Sequence, residues 1–167
     1  MNCRRAFSVN KAAMAACLLL LAEGAMAATI CRLQSGGSAD FGPYDTFVAT
    51  PADTTATVLV RCERDGGAQN VSITVGLSAG ANGTSVNNRR MLQAGGAGDY
   101  LNYGLFRDVG RSGPWGFTEG VDAVTQVVSV PNKDSAIATF TIYGRIPARQ
   151  NVSVGTYTDR IQVTLTP

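Results

Sequence analysis

Apolar side chains recur at every second position through much of this chain. Ala56, Val58, Val60 and Cys62 form one such run, and Val71, Ile73, Val75 and Leu77 form another after the turn signal Asp65-Gly66-Gly67. Alternation places one set of side chains on one face of an extended backbone, so each run predicts a half-buried strand, and the intervening turn predicts a hairpin. Residues 89–93 and 100–107 read as two short strands around the Gly-rich stretch 94–98, with Leu101, Tyr103 and Leu105 sharing a face. Ala138, Phe140 and Ile142 mark a further strand, 144–150 a connection, and Tyr157, Ile161, Val163 and Leu165 a last strand over 157–165. Asp159 falls on the apolar face of that last strand and marks a strand start or a bulge. Residues 78–88 read as loop, and so does most of 108–131, apart from a short strand near 125–130.

About seven or eight short strands with frequent turn signals, and no helical periodicity after residue 27, predict an all-β, two-layer antiparallel sandwich. No repeat or linker divides residues 28–167, which read as a single domain. The last strand runs almost to Pro167, so the sandwich reads as incomplete, lacking a final edge strand.

The first 27 residues follow a different pattern. Arg4, Arg5 and Lys11 precede an apolar stretch over 12–22 and the small-residue site Ala25-Met26-Ala27. That is the layout of a secretory signal, with the mature chain starting at Ala28. The apolar stretch is about half the roughly 20 residues that a membrane-spanning helix needs, so no stable membrane insertion is expected. Three of the 14 basic residues and one of the 12 acidic ones leave with the signal, so 11 of each sign remain. A balanced chain with scattered arginines offers no field for nucleic acid.

Removing the signal leaves Cys31 and Cys62 as the only cysteines. Two cysteines in an oxidising compartment predict one disulfide, and its loop of about 30 residues suggests roughly 4 kcal/mol of stabilisation. Two cysteines without histidine cannot make the usual four-ligand zinc site, and no cofactor is expected. The absence of histidine removes histidine-dependent triads. Asp40 with Asp45, or Glu119 with Asp122, are carboxylate pairs only in sequence, and solvated loop acids are the simpler reading. Asn70, Asn82 and Asn151 open glycosylation acceptor patterns. Trp115, in a Gly-rich loop, is a candidate surface contact for a ligand or receptor; packing of that loop onto the sandwich is the competing role. Tyr157 suits a corner tyrosine that ties the loop before the last strand.

Several blocks, taken in order, resemble the spore coat protein U family, whose domain is also used by archaic chaperone-usher pilins. They are Cys31 with Phe41-Gly42-Pro43-Tyr44-Asp45, Val58-Leu59-Val60-Arg61-Cys62, Arg90-Met91-Leu92, 101–108, Trp115-Gly116, Gly144-Arg145-Ile146-Pro147-Ala148, and Gly155-x-Tyr157-x-Asp159. The resemblance implies an immunoglobulin-like fold lacking its last strand, a Cys31–Cys62 disulfide, and assembly by donor-strand complementation. The implied partners are a periplasmic chaperone, an outer-membrane usher and a neighbouring subunit that donates a strand. The implied location is a pilus or fimbria at the cell surface, reached through the periplasm. Ile161, Val163 and Leu165 are then the candidate acceptor groove, with Tyr157 at its entrance. Ordinary core of a complete sandwich is the competing reading, because alternation does not separate the two. Only Ala28, Thr29 and Ile30 would precede Cys31 after cleavage. That is too short for a donor arm, and it points to a terminal subunit, to a coat or envelope protein that does not polymerise, or to a ligand-binding adhesin domain. No catalytic activity is expected.

Overall fold

The computed structural model describes residues 28–95 and 98–167; the secretory signal expected over 1–27 lies outside them. The alternating runs become strands, in chain order β1 (Thr29–Ser35), β2 (Ala52–Arg64), β3 (Gln69–Leu77), β4 (Arg89–Gln93), β5 (Tyr100–Phe106), β6 (Val124–Val130), β7 (Ser135–Ile146), β8 (Tyr157–Thr158) and β9 (Val163–Thr166). All pairings are antiparallel. Six strands form one sheet in the order β1-β2-β7-β5-β4-β8, and three form a second in the order β6-β3-β9. No helix occurs among the described residues, so the expected all-β fold is what the chain adopts.

The longest ladder joins β2 to β7, from Ala52↔Ile146 to Glu63↔Ser135. Its inner face carries Val58, Val60, Cys62, Ala138 and Phe140, opposite Ile73, Val75 and Leu77 of β3, and all are buried. Full burial of a Val, Leu, Ile or Phe side chain stabilises by about 1.5–3 kcal/mol, so this facing set dominates the cohesion of the two sheets.

The structure corrects several sequence expectations. The runs in β2 and β3 are not a hairpin: β2 pairs with β1 and β7, whereas β3 pairs with β6 and β9. Two apolar faces that oppose each other across a sandwich leave the same alternating signature as two that lie side by side. Residues 144–146, expected in a connection, continue β7 to Ile146. The last strand is divided. β8 pairs with β4, at Gln93↔Tyr157 and Leu92↔Thr158, while β9 pairs with β3 from Leu77↔Val163 to Thr74↔Thr166. The segment therefore crosses from one sheet to the other between Thr158 and Val163.

Candidate functional site

The crossing is fixed by Asp159, the residue that broke the apolar pattern. Its Oδ2 accepts a hydrogen bond from the Tyr103 hydroxyl at 2.7 Å, and its Oδ1 accepts from the backbone amides of Ala81 at 3.0 Å and Asn82 at 3.3 Å. Burial, and then the hydrogen bond to Asp159, push the Tyr103 hydroxyl far above its ordinary pKa, so it remains a donor. Ahead of the crossing, the Tyr157 hydroxyl donates to the Ser153 carbonyl at 2.8 Å. This is the corner tie expected of it.

Facing the crossing segment is a wall over 36–46, held by aromatic residues. Phe41 meets Tyr103 edge-on, with ring centroids 6.1 Å apart. It also lies over Gly144, where an added Cβ would stand 2.8 Å from the ring. The Tyr44 hydroxyl donates to the Pro147 carbonyl and accepts from the Gln150 amide, both at 2.8 Å. The Thr54 hydroxyl donates to the Asp40 carbonyl at 2.6 Å. The wall pairs with no strand among the described residues, yet its position is set by these contacts.

Between wall and crossing segment lie two adjoining clefts. The larger, about 660 Å³, has Met91, Leu101 and Ile146 in its lining and is bounded by Tyr44, Val152 and Tyr157. The smaller, about 480 Å³, has Ala56, Leu77, Leu105 and Ile142 in its lining, with Ile161 and Val163 along one side. Phe41, Met91 and Tyr157 line both, so the two form one groove. Among the described residues, β8 ends the six-stranded sheet and β9 ends the three-stranded sheet, and each has a neighbour on one side only. Along β9 the Ser78 amide donates to the Gln162 carbonyl at 3.0 Å. Antiparallel alternation then turns the backbone groups of Thr164 and Thr166 toward β3 and those of Ile161, Val163 and Leu165 toward the open edge. The site is an apolar trough beside an unpaired strand edge.

Of the residues singled out from sequence, Tyr157, Ile161 and Val163 border the clefts and are half-buried. Leu165, opposite Val75, is half-buried against the core beyond the cleft lining. Cys31 and Cys62 form a disulfide between directly paired positions of β1 and β2. Trp115 is not a surface contact. It is 1% exposed, its indole Nε1 donates to the Val75 carbonyl at 2.9 Å, and its ring stands 6.4 Å from that of Phe140. A large apolar ring with one donor gains more from the core than from water, and Val75 satisfies that donor. Asp40 and Asp45 accept from the Gly42 and Phe47 amides, and Asp122 from the Thr118 amide, so these carboxylates order turns. Among the described residues no group of three or more His, Cys, Asp or Glu is placed to hold a metal.

Sequence reasoning missed the wall and a buried cation. Phe41 and Tyr44 lie where no alternation marks them; two aromatics in a segment rich in Gly and Pro were the available signal. Arg89 is fully buried. Its guanidinium donates to the carbonyls of Trp115 at 2.6 Å, Ser78 at 2.7 Å, and Leu77 and Val86 at 3.1 Å. It thereby ties the C-terminal end of β3 and the Trp115 loop to β4.

Comparison with known proteins gives three findings. The Spore Coat Protein U domain model matches residues 7–164. "Protein U" of Myxococcus xanthus is 32% identical over 167 residues, covering 96% of this chain and 89% of that protein. A chain in the crystal structure of the CsuC-CsuE chaperone-tip adhesion subunit pre-assembly complex, from archaic chaperone-usher Csu pili of Acinetobacter baumannii, superposes with a TM-score of 0.53 at 19% identity. That match covers 83% of this chain and 40% of the other; it establishes a shared fold.

Proposed function

The chain belongs to the Spore Coat Protein U domain family, and from that premise we propose that it is a secreted subunit of a bacterial surface fibre whose activity is strand acceptance and not catalysis. The observation that carries this reading is the apolar trough beside the unpaired edge of β9. An open edge is a template for another chain, and a donor strand would satisfy its amides and carbonyls while filling the trough. About four alternating apolar side chains, at roughly 1.5–3 kcal/mol each, would contribute about 6–12 kcal/mol. That is comparable to the whole stability of a typical domain, about 5–15 kcal/mol.

In this reading a periplasmic chaperone first lends the strand. A neighbouring subunit replaces it at the outer-membrane usher, and the product stands at the cell surface. Ile161, Val163 and Leu165 line the accepting edge, with Tyr157 at one end. From Thr29 onward β1 is paired to β2, so cleavage after Ala27 would leave nothing free to donate, and the subunit would occupy a terminal position. Coexpression with a chaperone, or addition of a peptide with alternating apolar residues, should convert an aggregation-prone chain into a soluble one. Amide exchange at Ile161, Val163 and Leu165 should slow on binding while that at Thr164 and Thr166 changes little. A chain that folds alone as a stable monomer, and is stabilised by neither addition, would sink the proposal. The family description, Spore Coat Protein U domain, also supports a coat-protein reading, in which the sandwich is closed and does not polymerise; fast exchange along 157–165 in the free protein counts against that reading.

A further inference from the structure

Among the described residues, the groove carries charge of one sign. Asp40 and Asp45 stand on the wall in the larger cleft, Asp40 and Asp159 border the smaller one, and neither Lys nor Arg of the described residues lines either cleft. Residues 28–167 carry 11 basic and 11 acidic side chains, so this segregation is a property of the site. Asp159 Oδ1 is occupied by the Ala81 and Asn82 amides and the Asn82 side chain, and its Oδ2 by Tyr103. Asp40 and Asp45 are exposed, and each spends Oδ1 on a turn amide. Among the side-chain hydrogen bonds of the described residues, their Oδ2 atoms take none. The Asp159 charge faces the buried Arg89 guanidinium and both its oxygens are occupied, so the exposed Asp40 and Asp45, each with an oxygen available at the rim, supply the negative charge that an occupant meets.

Resting on the strand-accepting reading, we propose that the occupant of this groove is a cationic amphipathic strand from a partner protein. It carries apolar side chains at alternate positions and Lys or Arg where it passes Asp40 and Asp45. Lys and Arg suit such a path because their aliphatic stems cover apolar surface while the charged head reaches the rim. An exposed pair of this kind contributes little affinity by itself. Its effect is to choose among strands of equal apolar content, because an acidic strand meets like charge along the wall.

The test uses the mature chain and three synthetic peptides with identical alternating Val, Ile and Leu positions, whose intervening residues are Lys, Ser or Glu. Affinity read by fluorescence anisotropy at low salt should fall in the order Lys, Ser, Glu, by about two- to fivefold for each carboxylate engaged. High salt should compress the order, because rim charges are screened. Asp40→Asn with Asp45→Asn keeps the Oδ1 acceptors of both turns; it should abolish the order, read as the affinity of the Lys and Glu peptides relative to that of the Ser peptide on the same variant. Equal binding of the three peptides to the unaltered chain, at low salt, overturns the charge inference and leaves strand acceptance standing. An order that persists in the double variant also overturns it. If no peptide binds, strand acceptance itself fails.

Discussion

Two residues that no periodic pattern singles out organise the surroundings of the groove. Arg89 is a cation enclosed by carbonyl oxygens, and burial lowers its pKa below the ordinary arginine value. Its planar fork reaches four carbonyls between 2.6 and 3.1 Å, which an ammonium with three donors on a narrower head cannot serve together. Arg89→Lys should therefore lose about 2–4 kcal/mol in urea unfolding, as buried acceptors lose their partners. Gly144 acts through what it lacks. Gly144→Ala would set a Cβ 2.8 Å from both the Phe41 ring and Thr54 Cγ2, costing about 1–3 kcal/mol by overpacking and pushing the wall outward. Weaker strand binding than the stability loss accounts for is the expected signature, measured by comparing peptide affinity with the urea midpoint. Both residues stand at alternating positions among strand neighbours, so a sequence reader sees a charge and a turn former where the fold has a clamp and a clearance.

At the scale of elements, β1 has β2 as its only strand neighbour among the described residues. Its register with β2 is irregular between Leu33 and Ser35, so the Cys31–Cys62 disulfide secures the better-ordered half. Replacing both cysteines with alanine should cost about 2–4 kcal/mol, given the separation of 31 residues, read as a urea-midpoint shift that reducing agent reproduces in the unaltered chain. Strands were legible in the sequence wherever one face is buried and the other wet, as in β2, β5 and β7. Partners were less so. Whether two amphipathic strands pair edge to edge or face each other is decided by the path of 65–68, and turn chemistry alone does not encode that path. The division of the last strand had one visible sign, Asp159 on an apolar face, but its bond to Tyr103 joins residues 56 apart in sequence.

At the scale of the whole molecule, several carboxylates share a response to acid. The side-chain hydrogen bond from Arg145, aided by the charge of Arg111, holds Asp53 below its ordinary pKa; Ser153 does so for Asp99, and the Ser112 and Gly113 amides for Asp108. A carboxylate whose folded pKa is depressed stabilises the fold above its unfolded pKa, and that contribution is lost as pH falls through the folded value. The urea midpoint should therefore hold level near neutrality and decline below about pH 4. Asp53→Asn, which removes the partner of both Arg145 and Arg111, should flatten part of that decline. The groove as a whole was anticipated only in part. Its β9 side follows from alternation, whereas its wall is irregular backbone placed by Phe41 and Tyr44, contacts that arise only once the sheets have closed.

The disulfide also fixes how the chain transmits tension. A pull entering ahead of Cys31 passes through the sulfur bridge to Cys62, in the strand with the longest ladder of the fold. Residues 32–61, including the whole wall over 36–46, are bypassed by that covalent route. The chain can be drawn taut from its N-terminal side without stretching the lip of the trough, so the shape of the trough is mechanically decoupled from tension on that side.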